Sequence, residues 1–262
     1  MSDSQSQTKP STSQHTLDSF ITSSKPSLTP KPIATSTEIR DRGSTFVANI
    51  FTASSSEEAK SHTKYVKHVL HGNRKATHEI AAWRCMVVKP GCTGLGGPEE
   101  FQVESESMDD GERCAGDRTL KVMQNLAVID AVVVVSRWYG GTLLGPSRFD
   151  HIETCTAEVC RAFKRSEELR ESITTLDTLD TLLEGLREEL KTFQQAVRKS
   201  NSPTTLDGDS ESQVRTEKKK PDYSSIDLAK ARRLIKAREN SIKWVKDSLN
   251  DLRSSSSKGA QE

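Results

Sequence analysis

The chain has 262 residues, 33% of them hydrophobic and 29% charged, with a formal net charge of +1. So even a balance excludes a global field that would drive the molecule onto nucleic acid or an acidic membrane, and no apolar run approaches the roughly 20 residues that cross a bilayer. The composition predicts one compact domain with polar appendages, in a soluble, intracellular protein whose start lacks a signal peptide.

Residues 1–38 are rich in Ser, Thr, Gln and Pro and are expected to form a disordered tail. One island interrupts it. Gln14, Leu17, Phe20 and Ile21 resemble the short peptide box that docks on the DNA sliding clamp, although Ile21 stands where that box prefers a second aromatic ring. A chance match in a polar tail is the alternative. Thr45 to Phe51 predicts a strand, and Ser54-Ser55-Ser56-Glu57-Glu58 then supplies a hydroxyl cap with acids in the first turn of a helix. That helix is expected to reach about Leu70 and stop near Gly72. A second strand runs from about Glu79 to Val88. Gly94 to Met108 reads as a long flexible loop, because its Gly-x-Gly-Gly lacks the strand and helix that a dinucleotide site needs. A helix from roughly Glu112 to Asn125 follows, with Leu120, Met123 and Leu126 available to pack on a sheet.

The segment Asp130 to His151 organises the rest. Val132 to Val135 suit a strand buried on both faces. Ser136-Arg137-Trp138-Tyr139 then place a cation and two aromatic rings at its end, Gly140-Gly141 free the backbone, and Gly145-Pro146-Ser147 opens a helix. That helix, about Ser147 to Lys164, turns Ile152, Cys155, Val159 and Phe163 to one side. Cys85, Cys92, Cys114, Cys155 and Cys160 are odd in number and lack Cys-x-x-Cys spacing, which favours free buried thiols over disulfides or a zinc knuckle. A redox sensor at Cys92 or Cys114 is the other reading.

Past Arg165 the pattern changes. Leu176, Leu179, Leu183, Leu186, Leu190, Phe193 and Val197 alternate by three and four, the a/d seam of a coiled coil. Leu228, Ala231, Ile235, Ile242, Val245, Leu249 and Leu252 repeat it, with Arg238 interrupting one core place. The first stripe is acidic and the second basic, so an antiparallel helical hairpin is expected, within one chain or between two; alternatively both stripes cover the main domain. Lys218-Lys219-Lys220-Pro221 is either a nuclear import signal or solvated linker charge. The division is thus 1–38 tail, 39–165 domain, 166–200 heptad helix, 201–221 linker, 222–253 basic amphipathic helix and 254–262 tail.

Three segments carry a family resemblance: Ala76-Thr77-His78-Glu79-Ile80-Ala81-Ala82-Trp83-Arg84, Asp109-Asp110-Gly111-Glu112-Arg113-Cys114-Ala115-Gly116, and Val134 through Ile152. In this order they resemble the motifs of the Impact family, over residues 39 to 165. The resemblance implies an α+β fold, a small mixed sheet with helices packed on it like the second domain of ribosomal protein S5, to which the helical hairpin or coiled coil is added. It also implies translational control under amino-acid starvation, in which family members keep a co-activator from the general control kinase and contact ribosomes or actin. In the eukaryotic regulators an RWD domain is credited with holding the co-activator. Residues 1–38 are too few and too polar for one, so the Impact domain's own contacts carry over better.

The candidate site comprises His78, Asp110, Glu112, Arg137, Trp138, Tyr139, Gly140, Gly141, Gly145 and Arg148. Asp110, Glu112 and His78 have the functional groups of a hydrolytic or metal-assisted site. The competing reading has Asp110 capping a helix and Glu112 in its first turn. Arg137, Trp138, Tyr139 and Arg148 suit nucleic acid or a protein partner, while Trp138 has the alternative of a buried wedge. The resulting expectation is a non-catalytic regulator without metal or cofactor, cytoplasmic and also nuclear. The alternatives are a nuclear sliding-clamp partner and an uncharacterised hydrolase.

Overall fold

A computed structural model describes residues 29–200 and 221–258; the clamp-like peptide at Gln14 to Ile21 and the Lys218 cluster lie outside them. Six strands form one sheet: β1 (Ala34–Thr35), β2 (Ile39–Asp41), β3 (Ser44–Thr52), β4 (His78–Val88), β5 (Phe101–Met108) and β6 (Ala131–Trp138). Their order is β1-β3-β6-β4-β5, with β2 also on the outer edge of β3. The α+β architecture is as expected, but every pairing is antiparallel, where a mixed sheet was expected. The helices are α1 (Ser56–Tyr65, extended by a π turn over Val66–Leu70), α2 (Ala115–Asn125), α3 (Ser147–Ser200) and α4 (Leu228–Lys258). None of the described helices is long and apolar enough to cross a membrane.

β6 is the middle strand, and its valines divide by parity. Val133 and Val135 join Phe46, Ile50, Ile80 and Met123 beneath α2 and α3, where Ile152, Cys155, Val159 and Phe163 close the core as their spacing predicts. Val132 and Val134 face the other way, with Phe51, Ala81, Trp83 and Cys85 under Ala59 and Val66 of α1. Burying each of the valines, isoleucines and phenylalanines among them contributes about 1.5–3 kcal/mol. Ser55 caps α1 by accepting from the Glu58 amide at 3.3 Å, and the buried Trp83 donates to Ser56 Oγ at 3.1 Å.

Four expectations need correction. Residues 101–108 are not a flexible loop but the edge strand β5; its polar sequence reflects an outer position, where charged side chains guard an unpaired edge. α2 begins at Ala115, later than Glu112, because Cys114 adopts a left-handed conformation at φ 66°. Asp109, not Asp110, serves its start, accepting from the Cys114 and Gly116 amides at 2.9 and 2.8 Å. α3 runs unbroken through Arg165, since no Gly or Pro interrupts it before Gly185.

The fourth concerns the last two helices, which pair along the predicted stripes but run parallel. Arg232–Glu168 (3.1 Å) and Arg253–Glu189 each join residues 64 apart in sequence and lie three heptads from one another, so both helices advance in the same direction. Leu176 packs with Ala231, and Leu183 and Leu190 pack among Ile242, Val245 and Leu249. Residues 201–227 allow this: fully extended they reach about 90 Å, against about 50 Å of helix to retrace. Arg238, the break in the stripe, pairs with Asp180, which also accepts from the Tyr223 hydroxyl.

Candidate functional site

Antiparallel pairing of β4 with β6 sets His78 opposite Arg137 and Glu79 opposite Ser136. Consecutive residues point to opposite faces, so one end of the sheet carries two polar clusters, back to back.

On the α2–α3 face the centre is Glu112, 5% exposed. Arg137 Nη1 donates to its Oε2, Arg148 Nε faces its Oε1 as an ion pair, and His78 Nε2 lies 3.8 Å from Oε2. His78 Nδ1 contacts the Asp110 carbonyl at 2.9 Å; since a carbonyl only accepts, Nδ1 carries the proton. The Arg137 guanidinium lies 5.4 Å from the Phe46 ring and 5.6 Å from the Tyr139 ring. Glu112 is thus neither a first-turn helix residue nor an open acid: two guanidiniums occupy its carboxylate. Asp110 points away, bound by Lys67 Nζ at 2.9 Å and the Glu79 amide at 2.8 Å. The hydrolytic trio is therefore drawn together only through His78 and Glu112.

The opposite face holds a cluster that the sequence reading missed. Glu79, 2% exposed, receives His71 Nδ1 at 2.9 Å and the Ser136 hydroxyl. Ser136 is fully buried, and its proton goes to Glu79. Beside this cluster, Lys60, Thr63, Lys64, Lys67, Glu79, Met108 and Asp110 line a cavity of about 240 Å³. The Glu79–Ser136 register was the available signal, since each belongs to a segment already singled out.

Beyond the sheet the chain emerges in steps. Arg137 is buried, contrary to the expectation of an exposed cation, because it shares the core-facing parity of Val133 and Val135. Trp138 is half-buried: its Nε1 donates to the Arg74 carbonyl at 3.0 Å, His71 meets its ring edge-on at 4.9 Å, and the Arg74 guanidinium lies 4.9 Å from it. It is a bracketed anchor, between the free platform and the buried wedge. Tyr139, Gly140 and Gly141 are exposed, and Leu143 is 83% exposed while neighbouring Leu144 is buried. Gly140 lies so close to the β2–β3 turn that a Cβ there would sit 1.9 Å from the Gly43 carbonyl carbon. Gly141 and Gly145 take φ of 86° and 61° in open space, and the Gly145 carbonyl accepts from Arg148 at 3.0 Å. Arg42, paired with Asp41, also reaches Ser147 Oγ at 2.8 Å, and Asp41 receives His151 Nε2 at 2.8 Å. The tip is therefore pinned on both flanks.

Residues from all three motif segments meet at Glu112, and residues 42–160, which contain all three segments, match the model of the Impact N-terminal domain. Over that span the chain is similar to the Impact N-terminal domain. Protein IMPACT of Xenopus laevis is 40% identical over 131 residues, which is 49% of this chain and 38% of that protein. Protein IMPACT of Rattus norvegicus is 41% identical over 131 residues, covering 49% and 37%. Among solved structures, that of the two-domain translational regulator Yih1 is 37% identical with a TM-score of 0.33, covering 49% of this chain and 46% of that one. The match spans less than half of each relative. Most of α3 and all of α4 lie outside the 42–160 match to the Impact domain.

Proposed function

We propose that this chain is a non-catalytic regulator of translation that works by binding a protein partner through the Tyr139–Leu143 tip of its Impact domain. The carrying observation is the contrast within that tip: Tyr139 and the 83% exposed Leu143 face solvent while Arg137 beneath them is locked on Glu112. Tyrosine is among the residues that dominate interface hot spots, and an exposed aliphatic group beside it enlarges the apolar anchor. Arg137 is buried and both it and Arg148 are paired with Glu112, which leaves less cationic surface at the tip than a nucleic-acid site would use and favours the protein reading. The similarity to Protein IMPACT and to a translational regulator supports the direction. The setting would be the cytoplasmic response to amino-acid starvation through the general control kinase, with the co-activator, ribosomes or actin as partners.

Overproducing the chain should lower phosphorylation of the initiation factor in amino-acid-starved cells, and Tyr139→Ala/Leu143→Asp should abolish the effect at equal abundance. An unchanged effect in that variant would remove the tip from the function.

A further inference from the structure

α4 presents two faces. Ala231, Ile242, Val245 and Leu249 are buried against α3, and Arg232, Arg238 and Arg253 are engaged by Glu168, Asp180 and Glu189. The outward face carries Lys230, Arg233, Lys236 and Lys243, all exposed and none with an acidic partner among the described residues. Trp244 lies on the same outward side, 66% exposed, one turn or less from Lys243. Glu239 sits at the margin, and Asp247 and Asp251 bound the patch at its C-terminal end. An indole left in water among cations is an unusual surface, because neither group stabilises the fold from there.

We propose that this face binds a single-stranded nucleic acid, with a base stacked on Trp244 and phosphates against Lys230, Arg233, Lys236 and Lys243. Single-strand sites combine these two elements: cations that follow the backbone and an aromatic face that accepts any base. The competing occupants fit less well. An anionic membrane requires an apolar stripe to insert, and the apolar side of α4 is buried on α3. A second copy of this chain would bring like charges together. An acidic peptide would satisfy the cations but offers no flat partner for the indole. The inference does not depend on the role proposed for the tip, since it concerns other residues in a segment outside the Impact domain.

The test is fluorescence anisotropy of labelled 15-nucleotide oligo(U) and oligo(dT) with the 262-residue chain across a salt series. Binding is expected with a slope of log K against log salt of about −3, from four phosphate contacts at roughly 0.7 each. Trp244→Ala should weaken it on the order of tenfold with the slope retained, whereas Lys236→Glu/Lys243→Glu should weaken it and flatten the slope. Both positions are exposed, and circular dichroism should show helix content unchanged. Tyr139→Ala/Leu143→Asp should leave it intact, which separates this site from the tip. The proposal is overturned if neither oligonucleotide binds at low salt, if binding ignores Trp244, or if poly-glutamate or phosphatidylserine vesicles bind as tightly with the same dependence on Trp244.

Discussion

At Glu112 one carboxylate faces two guanidiniums, so neutralising it leaves the buried Arg137 and the half-buried Arg148 without their counter-ion. Glu112→Gln should destabilise the domain by about 3 kcal/mol, read as a lower urea midpoint. Adjacent glycines make a sharper comparison. Gly140→Ala places a Cβ against the Gly43 backbone and should be strongly destabilising, while Gly141→Ala meets only open space and should cost about 1–2 kcal/mol for its left-handed φ. Among the five cysteines, burial pushes Cys85 up to about 11 and Cys160 to about 12, while Cys92 and Cys114 are exposed. A thiol reagent at pH 8 should therefore modify Cys92 and Cys114 quickly and the others only on unfolding. Asp41 supplies an acid-side signature: Arg42 first, then His151, hold its carboxyl at about 2 against an ordinary 3.8. Since the folded value is depressed, its contribution is present above about pH 4 and disappears as pH falls through 2. Asp41→Asn should flatten the loss of stability over that window.

Elements were legible in proportion to how strongly the interior dictated them. β6 could be read because four valines have no other comfortable place, and the sheet-facing part of α3 because Ile152, Cys155, Val159 and Phe163 share one side. β5 was not, because an edge strand with Glu104 and Glu106 facing water has the composition of a loop. The direction of the α3–α4 pair was illegible for another reason: opposite charge selects a partner but is indifferent to orientation, which the spacing of Glu168–Arg232 and Glu189–Arg253 fixes only once contacts are known. Asp180 then acquires a role, binding Arg238 and the Tyr223 hydroxyl inside the pair. Asp180→Ala should lower the stability of the helix pair by about 1–2 kcal/mol, whereas Asp180→Leu with Arg238→Leu should match or exceed the parent, both measured by thermal unfolding. Spin labels at Glu189 and Arg253 should report neighbouring helices about 10 Å apart; a far longer distance would mean an antiparallel pair.

Across the molecule, one end of the sheet concentrates what the three motif segments contribute, and the long parallel helices carry a differently charged surface away from it. Several residues singled out in the sequence do meet around Glu112, but Arg137 and Trp138 were assigned too much exposure; strand parity, which places Arg137 with Val133 and Val135, held that information. What remained outside was the Glu79–His71–Ser136 cluster, because His71 enters from the turn after α1 and only the folded sheet brings it there. The tip is thus a small apolar edge held toward a partner above a base in which Glu112 engages both Arg137 and Arg148. Its most direct test is binding of the 262-residue chain and its Tyr139→Ala/Leu143→Asp variant to purified co-activator, ribosomes and filamentous actin, measured side by side. The account predicts that the parent binds at least one and that the folded variant binds it at least tenfold more weakly; equal binding by parent and variant to every partner would contradict it.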